Sequence, residues 1–137
     1  MKKASQRFIA LTLSAGLCWQ AWGQGTAAIA ITQLPTGGKV VGGQATVQST
    51  GNTLNVNQSS QRGVVEWNTF NIGSNATLNF IQPSANAVTL NRVMDMNASQ
   101  ILGRISATGQ VFISNPNGVI FGTSAQVDVG GLVATSK

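Results

Sequence analysis

The sequence predicts an all-β chain wound as a solenoid, and three observations point there. Beyond residue 30, apolar and polar residues alternate in short runs: Ala45-Thr46-Val47, Leu54-Asn55-Val56, Leu78-Asn79-Phe80, Val88-Thr89-Leu90 and Val127-Asp128-Val129. A period of two marks strands with one buried face. Between the runs lie Gly42-Gly43, Thr50-Gly51-Asn52, Gly73-Ser74-Asn75, Pro83-Ser84-Ala85-Asn86, Thr108-Gly109, Asn115-Pro116-Asn117-Gly118 and Gly130-Gly131, residue types that supply positive φ or preset a corner. Finally, residues 24–137 hold 12 Asn and 14 Gly but no His and no Tyr.

Short strands without intervening helices leave a sandwich, a barrel or a solenoid. Sandwiches and barrels usually place more aromatic side chains in a two-sheet core. Asn and Gly suit stacked coils, where turn positions recur in register and carboxamides hydrogen-bond along the stack. An internal echo points the same way: Phe80-Ile81 followed by Pro83 and Val88, then Phe112-Ile113 followed by Pro116 and Val119, with a drift of one residue. Met96 to Arg104 alone hints at a helix, with Ser99 as a cap, and Gly103 and β-branched neighbours limit its length.

The first residues read as an export signal. Met1-Lys2-Lys3 through Arg7 form a basic start, Phe8 to Leu17 an apolar stretch, and Ala21-Trp22-Gly23 a small-x-small site before Gln24. Residues 1–23 are therefore expected to be a signal peptide, with Ala28-Ile29-Ala30 offering a cleavage site as late as residue 30. The apolar stretch is about half of the roughly 20 residues needed to cross a hydrocarbon core, so no integral membrane segment is expected after processing. Leu17 is bulky for a position preceding a lipidated cysteine at Cys18. With that cysteine in the leader, the mature part carries none, although oxidising compartments are where small folds usually gain disulfides.

Removing the leader takes the formal charge from +5 to +2, leaving Lys39, Arg62, Arg92, Arg104 and Lys137 against Glu66, Asp95 and Asp128. Five scattered cations lack the clustered basic face of a nucleic-acid binder. Catalysis is disfavoured too. Glycoside chemistry needs paired carboxylates about 5–10 Å apart, and the three acids fall in separate segments. Without His or a mature Cys, no metal site is expected, and no cofactor. Trp67, Phe70, Phe80, Phe112 and Phe121 could offer a stacking surface, but their burial tendencies favour filling or capping the interior.

Asn115-Pro116-Asn117-Gly118 sits between Val111-Phe112-Ile113 and Val119-Ile120-Phe121 and carries a type I turn signal. It stands in an ordered series: Arg62-Gly63-Val64-Val65-Glu66-Trp67-Asn68-Thr69-Phe70-Asn71-Ile72-Gly73, Gln82-Pro83-Ser84, Leu90-Asn91-Arg92-Val93, Ile101-Leu102-Gly103, Gly109-Gln110-Val111-Phe112 and Val127-Asp128-Val129-Gly130-Gly131-Leu132-Val133-Ala134. Over about residues 31–136 this series resembles the filamentous-haemagglutinin-type secretion domain of two-partner systems, in the style of the high-molecular-weight adhesin and haem-utilisation branch.

The resemblance implies a right-handed parallel β-helix over residues 31–137. It implies a non-enzymatic domain that directs secretion and seeds folding of a large adhesin- or haemolysin-like exoprotein. The expected partners are the Sec translocon, signal peptidase and the periplasmic domains of a cognate outer-membrane β-barrel transporter. The destination is the cell surface or medium of a Gram-negative bacterium, reached through the periplasm. Asn115, Pro116, Asn117 and Gly118 would form the secretion motif recognised by the transporter, and Trp67, Phe70, Asn71, Ile72 and Gly73 an early-coil motif. The earlier Asn-Pro-Asn-Leu motif of the haemolysin branch has no counterpart here. Family members continue into long repetitive stalks, so the domain is expected to be incomplete at Lys137, as a truncated reading frame or the leading piece of a split gene. A stand-alone secreted, carbohydrate-binding β-solenoid is the competing reading.

Overall fold

The structure, a computed structural model, describes residues 28–137; the leader assigned to residues 1–23 lies outside the described residues. Twelve strands and no helix occur among them: β1 (Lys39–Gly42), β2 (Ala45–Thr50), β3 (Thr53–Gln58), β4 (Arg62–Trp67), β5 (Thr77–Ile81), β6 (Val88–Val93), β7 (Ser99–Ile101), β8 (Arg104–Ala107), β9 (Gln110–Ser114), β10 (Val119–Phe121), β11 (Gln126–Asp128) and β12 (Gly131–Thr135). Hydrogen bonding joins them into a first sheet ordered β12-β9-β6-β4-β1, a second ordered β11-β8-β5-β3-β2 and a third of β10 and β7.

These sheets are three faces of a parallel β-solenoid. Coil one runs through β3, β4 and Ile72, which bridges Ile101. Coil two is β5–β6–β7, coil three β8–β9–β10, and coil four opens with β11 and β12. Positions stack in columns: Arg62, Val88, Gln110 and Gly131 on the first sheet, and Thr53, Thr77, Arg104 and Gln126 on the second.

The alternation read from the sequence has its physical cause in this stacking. In each strand the odd or even set faces the interior, so Leu54, Leu78 and Ile105 form one buried column and Val65, Asn91 and Ile113 another. Trp67, Phe70, Ile72, Phe80 and Ile101, each at most 2% exposed, complete the core. Fully burying such a side chain contributes about 1.5–3 kcal/mol.

Three expectations need correction. The echo between Phe80 and Phe112 is not the structural repeat, because Phe80 lies on the second sheet opposite Ala107 while Phe112 lies on the first between Leu90 and Val133. Phe112 therefore has the outward parity and is half-buried, with Val111 and Ile113 pointing in. Phe121 stacks in register with buried Ile101 yet remains 39% exposed, because its strand is the outer edge of the two-stranded third sheet. The helical hint at Met96–Arg104 resolves into β7 and the start of β8, and Ser99 is a buried strand residue.

The start of the solenoid is covered by chain running the other way. β1 pairs antiparallel with β4, and β2 antiparallel with β3. Both edges of coil one thus have their backbone groups paired, and Val40, Ala45 and Val47 pack on the core. Exposed parallel edges template association, so this reversal closes the amino-terminal end.

Candidate functional site

The Asn115–Gly118 corner follows β9 and leads to β10. Its first residue is fully buried, and every polar atom of its side chain is used. Asn115 Nδ2 donates to Asn97 O at 3.1 Å and to Ser99 Oγ at 3.0 Å, both on coil two. Asn115 Oδ1 accepts the Asn117 backbone N–H at 2.9 Å, an Asx turn within the corner. The backbone closes the turn: Gly118 N donates to Asn115 O at 2.9 Å, and Asn115 N donates to Thr135 O on coil four at 3.0 Å. One asparagine therefore ties three coils together.

The remaining corner residues divide the work. Pro116 and Asn117 are exposed, and Pro116 presets φ at the first turn position. Asn117 Nδ2 reaches down to Asp95 O at 2.8 Å, while Asp95 Oδ1 accepts the Asn97 backbone N–H at 3.0 Å. Gly118 has φ +100°, a backbone conformation that a Cβ disfavours. Corner thus stacks on corner, 95–97 beneath 115–118.

The Trp67–Gly73 segment turns coil one from the first sheet toward the third. Trp67 closes β4 with its ring edge-on to Phe70, centroids 5.6 Å apart at 69°. Its Nε1 donates to Asn91 Oδ1 at 2.9 Å. Asn71 Oδ1 accepts the Gln100 N–H at 2.8 Å, Ile72 N donates to Gln100 O at 2.9 Å, and Leu102 N donates to Ile72 O at 2.8 Å, a three-bond clamp onto coil two. Gly73 is buried where a Cβ would lie 2.3 Å from Ala30 O. Its N–H donates to Gln33 O at 2.9 Å, so glycine lets the entering chain cross closely.

A second polar column escaped the sequence reading. At the corner between the second and first sheets, buried Thr89 donates its hydroxyl to Gln58 Oε1, and Gln82 Nε2 donates to Thr89 Oγ1 at 2.9 Å. Gln82 Oε1 accepts the Gly109 N–H at 2.6 Å, and Gln58 Nε2 donates to Ser60 O at 2.8 Å. The available signal was parity: Gln58 shares the inward set of Leu54 and Val56, and a polar residue there needs buried partners.

Charge is sparse around these networks. Glu66 and Arg92 pair at 3.7 Å and Arg104 and Asp128 at 3.4 Å, both in solvent, so each contributes at most about 1 kcal/mol. Among the described residues, no three His, Cys, Asp or Glu side chains converge on a point that could hold a metal. What the site offers is a set of coil-to-coil clamps and one exposed Pro-Asn corner.

The sequence model of the TPS secretion domain matches residues 31–137, the whole solenoid with its amino-terminal cover. The chain belongs to the TPS secretion domain family. Among curated proteins, a heme/hemopexin-binding protein of Haemophilus influenzae strain Rd is 45% identical over 104 residues, covering 76% of this chain and 12% of that protein. A second heme/hemopexin-binding protein of Haemophilus influenzae is 39% identical over 114 residues, 82% of this chain and again 12% of the relative. The crystal structure of the HMW1 secretion domain from Haemophilus influenzae superposes with a TM-score of 0.71 at 35% identity, covering 74% of this chain and 27% of that one.

The TPS domain described here thus spans about an eighth of the curated relatives' length. Both motifs quoted from the sequence lie within the matched region, and the geometry gives each a definite job. Asn115 and Asn71 join neighbouring coils, Trp67, Phe70 and Ile72 fill the interior, Gly73 and Gly118 permit close or left-handed backbone, and Pro116 with Asn117 faces solvent.

Proposed function

We propose that this TPS domain is the secretion-targeting and folding-nucleating front of a large exported exoprotein, recognised by the periplasmic domains of an outer-membrane β-barrel transporter. The family match across the entire solenoid carries this reading. Residues 1–23 serve as the signal peptide read by the Sec translocon and signal peptidase, and the destination is the surface or medium of a Gram-negative cell.

The mechanism rests on edges. Chain arriving unfolded in the periplasm presents free backbone donors and acceptors, which a transporter domain can pair with as an added strand, while side-chain pockets select the sequence. Outside, each coil stacks on the one before, because a coil can bury its apolar face only against a neighbour. Folding from the covered first coil onward opposes return through the transporter without ATP. In this scheme Pro116 and Asn117 supply recognition, and Asn115 and Gly118 supply the corner itself.

The test co-expresses the full-length exoprotein gene with its transporter and compares medium with periplasm. Pro116→Ala and Asn117→Ala are expected to lower export while circular dichroism of the purified domains stays that of a folded solenoid. Unchanged export in both variants removes the recognition role from this corner. Asn115→Ala alone cannot make the distinction, since it damages folding as well.

A carbohydrate-binding role has one observation in its favour. The outer face of the second sheet carries a ladder in which Asn79 Nδ2 donates to Asn55 Oδ1 at 3.0 Å and Ser106 Oγ to Asn79 Oδ1 at 2.8 Å. Beside it lies a shallow groove of about 440 Å³ edged by Arg104 and Asp128. Glycan-array binding that disappears in Asn79→Ala favours this role; a blank array removes it.

A further inference from the structure

Asn117-Gly118 is the single Asn-Gly step in the sequence. That dipeptide is the one most prone to intramolecular attack by a backbone nitrogen on a side-chain amide, because glycine lacks the Cβ that would hinder the approach. In the solenoid both reacting groups are held. The Gly118 N–H, which must lose its proton to act as nucleophile, is donated to Asn115 O at 2.9 Å. The Asn117 carboxamide is fixed to Asp95 O at 2.8 Å, and the Asn117 N–H to Asn115 Oδ1 at 2.9 Å. Two of these three bonds lie within the corner, and the third requires coil two beneath it.

We propose that Asn117-Gly118 is a fold-gated deamidation site, reactive while the chain is unfolded, locked when coils two and three stack, and unable to rebuild the corner once converted. The chemistry needs only water. The Gly118 nitrogen bonds to Asn117 Cγ, the Cγ–Nδ2 bond breaks, and ammonia leaves with the proton from nitrogen, giving a cyclic imide. Water then opens the imide at either carbonyl, yielding aspartate or isoaspartate, so one amide and one water become one carboxylate and one ammonium.

Either product conflicts with the geometry. Aspartate at 117 turns a donor into an acceptor facing Asp95 O, on a residue that already carries a carboxylate, so attraction becomes repulsion. Isoaspartate routes the backbone through Cγ and adds a backbone atom between residues 117 and 118. The Gly118 N–H then no longer meets Asn115 O. A chain delayed in the unfolded state would lose folded-state stability by a slow chemical clock set in its own motif. The inference stands on the fold and the sequence, independent of which transporter, if any, handles the chain.

The test holds the full 137-residue chain at neutral pH, half in buffer and half in concentrated urea, and samples both over time. Peptide mass spectrometry and isoaspartyl methyltransferase labelling then quantify conversion at position 117. Conversion is expected in urea and slowed about tenfold or more in buffer, since protection follows the cost of opening the coil; equal rates overturn the lock. The separated isoaspartate form and Asn117→Asp are expected to refold to lower urea midpoints than Asn117→Ala, which merely loses a bond. Midpoints equal to the parent overturn the claim that the product cannot rebuild the corner. Asn117→Gln is the control expected to show no conversion signal at this position in urea.

Discussion

Trp67 and Asn91 are joined across adjacent coils by a buried hydrogen bond, indole Nε1 to Oδ1 at 2.9 Å, and Asn91 passes the connection on through Nδ2 to Phe112 O at 3.2 Å. Asn91 is a buried polar residue stacked between the apolar side chains of Val65 and Ile113. Trp67→Phe strands the Asn91 oxygen and is expected to destabilise the domain by about 1–3 kcal/mol. Asn91→Val strands the indole N–H and Phe112 O to similar effect. The double variant is expected to cost less than the sum of the two, because replacing both partners by apolar groups removes the stranded pair. Urea unfolding followed by far-UV circular dichroism checks all three, since Trp67 is the only tryptophan beyond residue 22.

Asn115 and Asn117 should separate cleanly in stability. Asn115 is fully buried with four bonds beyond its own turn closure, so Asn115→Ala leaves Ser99 Oγ, Asn97 O and the Asn117 N–H without it. A loss of about 2–4 kcal/mol is expected, since the buried Ser99 hydroxyl and the partly buried Asn97 carbonyl and Asn117 N–H all lose their partner. Asn117 is exposed and makes one side-chain bond to Asp95 O, so Asn117→Ala is expected to cost about 0.5–1.5 kcal/mol. Equal losses in a denaturation series would show that burial does not separate the two positions.

The aromatic positions show what the sequence could and could not disclose. Trp67, Phe70 and Phe80 were legible as core from their burial tendencies, and Phe80 also from its inward place in the run Leu78-Asn79-Phe80. Phe112 was not, since Val111-Phe112-Ile113 is apolar at every position and parity cannot be read from such a run; stacking on coil two decides that Val111 and Ile113 face in. The corners were legible because Pro, Asn and Gly punctuate the chain whatever lies beside them. The antiparallel cover of β1 and β2 was invisible, because pairing direction leaves no mark on alternation. The Gln58–Thr89–Gln82 column was hidden for a related reason: a glutamine on a strand reads as solvent-facing until the register is known. Phe80→Ala is accordingly expected to cost about 3–5 kcal/mol, and Phe112→Ala roughly 1 kcal/mol, as half-buried outward contacts are lost. Matching urea midpoints for the two variants would contradict the parity assigned to β9.

The surface ion pairs should be nearly silent. Arg104 and Asp128 meet at 3.4 Å with side chains 48% and 79% exposed. Arg104→Ala and Asp128→Ala are each expected to shift stability by less than about 1 kcal/mol, and raising the salt concentration should change the wild-type unfolding midpoint little. A large salt response would point to electrostatic contributions that these two contacts do not contain.

Gly73 sets how the entering chain meets the first coil. A Cβ there would lie 2.3 Å from Ala30 O and 2.4 Å from Ile31 O, atoms of backbone that no rotamer change can move. The same stretch is held by Gly73 N to Gln33 O at 2.9 Å and Asn75 N to Ile31 O at 2.7 Å. Gly73→Ala must therefore push residues 30–33 away from the coil and break both bonds, while the interior column of Ile72 and Ile101 stays in register. The expected cost is about 1–3 kcal/mol, the usual penalty of an inserted methyl group in a packed site. Its location is the sharper readout. Hydrogen exchange should accelerate at Gly73 and Asn75 but stay slow at Val111 and Ile113, because loss of the entering segment uncovers one end of the solenoid and leaves the coils beyond it stacked.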